Sequence, residues 1–156
     1  MKQIVSKRTI VLAVCALCLC LGTGADKQVT RPYKIKGVTT GEITSFSPET
    51  MTITFRARNT GEATHCGAYS NTLTGSLSLA TLQGSSQGLF VCANGDQIGW
   101  TATISGATLT VTATSGTGRF EGGSGGGFVA ELDNIVVDLD EMTISYTFEG
   151  RGTVTY

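Results

Sequence analysis

The feature that most restricts what this chain can become is a two-residue alternation of apolar and polar side chains. Met51, Ile53, Phe55 and Ala57 alternate with Thr52, Thr54, Arg56 and Arg58. Ile98, Trp100, Ala102 and Ile104 alternate with Thr101 and Thr103, and Leu109, Val111 and Ala113 alternate with further threonines. Met142, Ile144, Tyr146 and Phe148 form a last arm of the same kind. A period of two places the two sets on opposite faces of a strand, with one face buried. No window carries the 3.6-residue period of an amphipathic helix. Threonine and glycine are abundant and only Pro32 and Pro48 are proline, which favours strands joined by tight turns.

The alternation breaks where turns are expected. Ser47-Pro48-Glu49 closes a first strand over 33–46, Asn59-Thr60-Gly61 marks a bend or bulge, and strand is expected to resume over 62–68 and 73–82. Asn94-Gly95 between 88–93 and 97–105 is the dipeptide best suited to a type I′ hairpin, whose two central residues both need positive φ. The longest break is 116–127, where seven of twelve residues are glycine around a lone Arg119 and Phe120. No helix or regular strand suits such a stretch, and the arrangement predicts a tight turn that inserts one aromatic ring into a core. About eight short strands at even spacing imply an all-β fold. An up-and-down antiparallel barrel is preferred, because closure removes exposed edges, with a β-sandwich as the alternative.

The start of the chain has a different character. Lys2, Lys7 and Arg8 precede an apolar run from Ile10 to Leu21, and Thr23-Gly24-Ala25 supplies small residues before Asp26. This is the layout of a signal peptide, 1–25, and the run is too short for a spanning helix. The expectation is a secreted or periplasmic protein with no stable membrane span in its mature form and a single domain over 26–156. Cys15, Cys18 and Cys20 follow Val14, Leu17 and Leu19, not the small residue that lipid attachment favours. Removing the leader moves the net charge from −1 to −4. A mildly acidic domain without clustered cations excludes a nucleic-acid binder, and its aromatics lack the basic interleaving of a stacking platform.

Candidate chemistry is sparse. His65 is the only histidine. If the parity of Ile53 and Phe55 survives the bend, His65 faces the barrel interior near Trp100 or Tyr146 and could exchange a proton with a ligand; a one-residue bulge would reverse this. His65, Trp100 and Tyr146 are therefore the candidate ligand contacts, with Ile98, Ile104, Phe128 and Phe148 as further interior positions. The glycine-rich stretch lacks the Gly-Lys-Ser/Thr ending of a P-loop and no helix follows it. Glu131, Asp133, Asp138, Asp140 and Glu141 match no calcium loop and read as a solvated hairpin tip. No serine sits in a nucleophile elbow. No cofactor and no metal site are expected.

Three segments carry a resemblance: Gly61-Glu62-Ala63-Thr64-His65-Cys66-Gly67, Cys92-Ala93-Asn94-Gly95-Asp96-Gln97-Ile98 and Gly116-Thr117-Gly118-Arg119-Phe120-Glu121-Gly122. In this order they resemble motifs of bacterial secreted proteins grouped with the allene oxide cyclase and dirigent barrels, a calycin-like architecture. The resemblance covers most of 33–156. It implies an eight-stranded antiparallel barrel whose glycine-rich turn helps close one end; the residues of that turn themselves suit such a role, with Phe120 as plug and Arg119 or Glu121 at the rim. It supplies no catalytic residue. Cys66 and Cys92 depart from the family pattern and are the only cysteines outside the leader. In an oxidising compartment they are expected to form a disulfide worth about 3 to 4 kcal/mol for a loop of this length.

Three functions are compatible with this reading. The first is a secreted barrel that binds an apolar small molecule, or is a stable packed module, since eight strands either fill their interior or hold one small ligand. The second is an isomerase or cyclase acting on a hydrophobic substrate, which requires an ionisable group inside the barrel. The third is an oligomeric interaction module.

Overall fold

The computed structural model describes residues 28–123 and 125–156. The proposed leader lies outside them. Eight strands, β1 (Thr30–Ser47), β2 (Thr52–Ala63), β3 (Gly67–Ser78), β4 (Gln83–Cys92), β5 (Gln97–Ser105), β6 (Thr108–Gly116), β7 (Gly127–Asp138) and β8 (Thr143–Thr155), follow one another around a closed antiparallel barrel. Each strand pairs with its neighbours in sequence, and β1 pairs with β8 to close the ring. The alternation becomes the two faces of the wall. Ile53, Phe55 and Ala57 on β2, Ile98, Trp100 and Ile104 on β5, and Phe128 on β7 are buried inside, while threonines and charged residues point out. That polarity is the reverse of a lipid-spanning barrel, which is apolar outside and polar within.

Several local expectations change. No bend interrupts β2 at Asn59-Thr60-Gly61: the strand runs unbroken to Ala63, in one register with β3 and, from Phe55 onward, with β1, whose register shifts only between Ile43 and Ser45, because Asn59 keeps the inward parity of Phe55 and Ala57. The turn falls later, at Thr64–Cys66, so 62–68 is not a continuous strand and β3 begins at Gly67. At Asn94-Gly95 only Gly95 has positive φ (88°), so the hairpin is not type I′; Cys92 O accepts from Gly95 N–H and Cys92 N–H donates to Asp96 O. The glycine stretch holds a single 3-10 turn, Gly118–Phe120.

The alternating sheet brings all turns to two ends. The β2–β3, β4–β5 and β6–β7 connections lie at one end with both termini of the described chain. The β1–β2, β3–β4, β5–β6 and β7–β8 connections lie at the other.

Candidate functional site: the barrel interior and its plugged end

The interior is built from large side chains on some strands facing glycine on others. A Cβ on Gly88 would come within 2.7 Å of the Trp100 ring, and one on Gly75 within 2.7 Å of the Phe55 ring. Each glycine is the register partner of the aromatic residue on the adjoining strand, so the ring lies over it. Phe90 on β4 lies 5.2 Å from Tyr69, 5.5 Å from Trp100 and 6.4 Å from Phe128, and Phe128 lies 5.9 Å from Tyr33 on β1. These separations are those of favourable ring pairs. The space they leave beside Tyr33, Phe90, Trp100 and Phe128 is about 20 Å³, roughly the room of one water molecule.

One row of this interior is polar. The register aligns Tyr146, Thr39, Asn59 and Asn71 across β8, β1, β2 and β3. Thr39, Asn59 and Asn71 are 0 %, 5 % and 2 % exposed. Trp100 Nε1–H donates to Asn71 Oδ1 at 3.2 Å, but Thr39 Oγ1, Asn59 Oδ1 and Asn71 Nδ2 have no protein partner. Tyr146 is near enough to Thr39 for the two to influence each other, yet Thr39 Oγ1 ends unpaired. Burial pushes the Tyr33, Tyr69 and Tyr146 hydroxyls up from their ordinary range, and Tyr69 rises further beside Tyr33 and Tyr146. These phenols stay protonated at neutral pH and can act there as hydrogen-bond donors, not bases. The other buried polar side chain among the described residues is Ser86, so no carboxylate, ammonium, guanidinium or imidazole is buried in the core.

Of the candidate ligand contacts, Trp100 and Tyr146 face the lumen and His65 does not. His65 sits in the β2–β3 turn at φ 68°, where the alternation no longer governs its direction. Its Nε2 lies 3.1 Å from Pro32 O and its Nδ1 3.3 Å from the Tyr156 hydroxyl. A carbonyl can only accept, so the Nε2–H tautomer donates to Pro32 and leaves Nδ1 to accept from Tyr156. The ring is a structural tie between the turn and the two ends of the described chain.

The three sequence motifs meet at this end. Cys66 and Cys92 form a disulfide (Cα–Cα 4.8 Å) that joins the β2–β3 turn to the end of β4, and Ala93 N–H donates to Cys66 O. Arg119 Nε donates to Asp96 Oδ2 at 3.0 Å and Arg119 Nη1 to His65 O at 3.0 Å, so one guanidinium ties all three turns together. Thr117 N–H donates to Gln97 O, and Gln97 N–H to Thr117 Oγ1. Beneath them Phe120 is 1 % exposed and meets Tyr156 edge to face at 5.7 Å. Gly118 turns with φ 61°, and a Cβ there would collide with the Asp96 carboxylate. The Asn94 side chain foremost, then the backbone and guanidinium of Arg119, hold Asp96 below the usual carboxylate range against an opposing effect of desolvation.

Among the described residues no group of three or more His, Cys, Asp or Glu side chains is placed to hold a metal ion, and no helix is long and apolar enough to cross a membrane. At the hairpin tip, Asp138 Oδ1 accepts from the N–H groups of Asp140 and Glu141. The polar row was hidden in the sequence because Asn59 reads as a turn residue; its parity with Phe55 and Ala57 was the available signal.

The fold is a closed eight-stranded antiparallel β-barrel, similar in architecture to that of a dirigent protein. Over 99 % of this chain and 100 % of the other, it superposes on the pterocarpan synthase dirigent protein GePTS1 with a TM-score of 0.54 at 9 % sequence identity. No family model matches the chain, and no curated protein matches it by sequence.

Proposed function

We propose that this protein is a secreted, packed barrel module that acts through its outer surface and does not carry a ligand in a preformed cavity. The observation behind this reading is the chain of rings from Tyr33 through Phe128 and Phe90 to Trp100, which leaves about 20 Å³ where drug-sized ligands need about 300 Å³ or more. An apolar guest would have to displace rings that already satisfy one another. The Cys66–Cys92 disulfide and the Lys-led apolar start of the chain support secretion, and the motif resemblance supports a bacterial source. An isomerase or cyclase would need an ionisable group in the lumen other than a protonated phenol, so we leave that reading aside. The likeness to a pterocarpan synthase is one of fold and carries no reaction to this chain.

A second reading has one observation in its favour. Three unpaired polar atoms in one row would be satisfied by a small guest bearing both donors and acceptors, or by ordered water. Native mass spectrometry of the protein purified from its secreting host separates the two, together with Trp100 emission during titration with an apolar naphthalene dye. A packed module gives the bare mass and an unchanged Trp100 signal. A stoichiometric adduct, or a saturable Trp100 response at one dye per chain, would overturn the proposal.

A further inference from the structure

The outer wall has two unlike halves. β1, β2, β7 and β8 carry the exposed charges of the wall, among them Lys34, Arg56, Glu131 and Arg151. The adjoining strands β3, β4, β5 and β6 contain no Asp, Glu, Lys, Arg or His at all. Their outward positions form rows of hydroxyls and amides that cross four strands in register. One row is Thr74, Gln87, Thr101 and Thr112; the next is Ser76, Ser85, Thr103 and Thr110. A shallow hollow of about 600 Å³ lies over these rows and is lined by no charged side chain; a second, of about 530 Å³, shares Thr74, Gln87 and Thr101 with it and carries the trough on to Arg56 at the β2 border.

We propose that this trough on β3–β6 is a binding surface for a neutral polysaccharide chain. The inference rests on the reading of the barrel as a module that works from its outer surface. The partner follows from what the face offers. Nucleic acid needs clustered cations and an anionic membrane needs cations with apolar insertion; β3–β6 have none of the first, Arg56 at the β2 border being a lone guanidinium, and, of large apolar side chains, only Leu89 substantially exposed. A protein partner is anchored by aromatic and Arg side chains in the interface core, which are missing from these outward rows. Ser and Thr hydroxyls each donate and accept, as sugar hydroxyls do, and an uncharged face meets an uncharged glycan without desolvating an ion. Rows recur at about 6.7 Å along a strand, two residues apart, and at about 4.8 Å between strands. A polymer of repeating hydroxyls can engage several at once and gain from the repetition.

The test is co-sedimentation of the purified protein with insoluble cellulose, chitin and cross-linked galactan, with alginate beads as the anionic control. The expected result is depletion on at least one neutral polymer, unchanged up to about 1 M salt, and none on alginate. Thr101→Lys and Thr103→Glu should each weaken binding by about tenfold or more, since each places an unpaired charge in the contact. Thr101→Ser should keep it, and Arg151→Gln on the charged half should not alter it. Circular dichroism confirms that each variant is folded. Depletion on none of the neutral polymers overturns the proposal, as does equal loss with Arg151→Gln. A concentration-dependent dimer that Thr101→Lys dissolves would assign the face to a second copy and also overturn it. A filled interior with no glycan binding removes this inference alone, whereas a guest in the lumen removes the reading beneath it.

Discussion

The two ends of the barrel solve the same problem, joining strands into a closed wall, by different means. At the plugged end the turns are held by side chains: a disulfide, the Arg119–Asp96 pair, the His65 ring and the Phe120 plug. At the other end, where Asp138 caps its own hairpin tip, neighbouring hairpins are tied to one another by backbone. Leu79 N–H donates to Met51 O, Gly106 N–H to Leu82 O, Leu132 N–H to Ala107 O and Ile43 N–H to Met142 O, each adding a rung beyond a strand ladder and tying one hairpin to the next around the ring. Three of these carbonyls are aimed by residues in the left-handed region: Met51 (φ 50°), Leu82 (φ 54°) and Met142 (φ 52°). Long side chains rarely occupy that region and cost about 1 to 2 kcal/mol there. The contrast teaches that one end is specified by particular residues in particular places, and the other by backbone geometry that holds despite its residues.

Substitutions can break this contrast, and the largest effect belongs to the plug. Phe120→Ala removes a fully buried ring and should cost about 3 to 5 kcal/mol in urea unfolding; a loss below about 1 kcal/mol would mean the plug seals nothing. Replacing Cys66 and Cys92 together by Ala should cost about 3 to 4 kcal/mol, and wild-type protein in reductant should fall to the same midpoint. At the backbone-held end the sign should invert. Met51→Gly or Leu82→Gly, at side chains 41 % and 50 % exposed, should stabilise the fold by up to about 1 kcal/mol as left-handed strain is relieved. Destabilisation by both would show that those side chains serve the fold. Gly118→Ala at the plugged end should do the opposite and destabilise, because its Cβ meets Asp96.

The smallest effect is a pH dependence confined to the plugged end. Asp96 is held below the ordinary carboxylate range, so its ionised form supports the fold above the unfolded-state value of about 3.9. That support drains away as the pH falls through the lower folded-state value. Asp96→Asn should flatten the acid limb of a stability–pH curve and leave the neutral region level; an acid limb identical to wild type would detach Asp96 from the lock.

Much of this could be read in advance from particular residues. The alternation through Ile53, Phe55, Ile98, Trp100, Phe128 and Phe148 placed each of them inward, since one buried face fixes strand parity. The glycines around Phe120 marked a plug because little else can turn so tightly. Parity left the direction of His65 open, because parity ends where a strand ends, and nothing local distinguishes a strand position from a turn residue just beyond it. Asn59 was misjudged for the converse reason: a residue favoured in turns was held in strand by its neighbours across the sheet. The backbone ring left no trace, since Met and Leu carry no turn signal and are uncommon at positive φ.

The seam between β1 and β8 carries a kinetic consequence. It aligns thirteen residue pairs, from Thr30 with Thr155 to Glu42 with Thr143, between the two extremes of the folded region. The wall cannot close until the final strand has been synthesised, and pairing so distant in sequence makes folding slow, in the range of about milliseconds to seconds. Until β8 has been made, β1 lacks the partner that closes the ring, so the barrel forms only once both ends of the described chain are present.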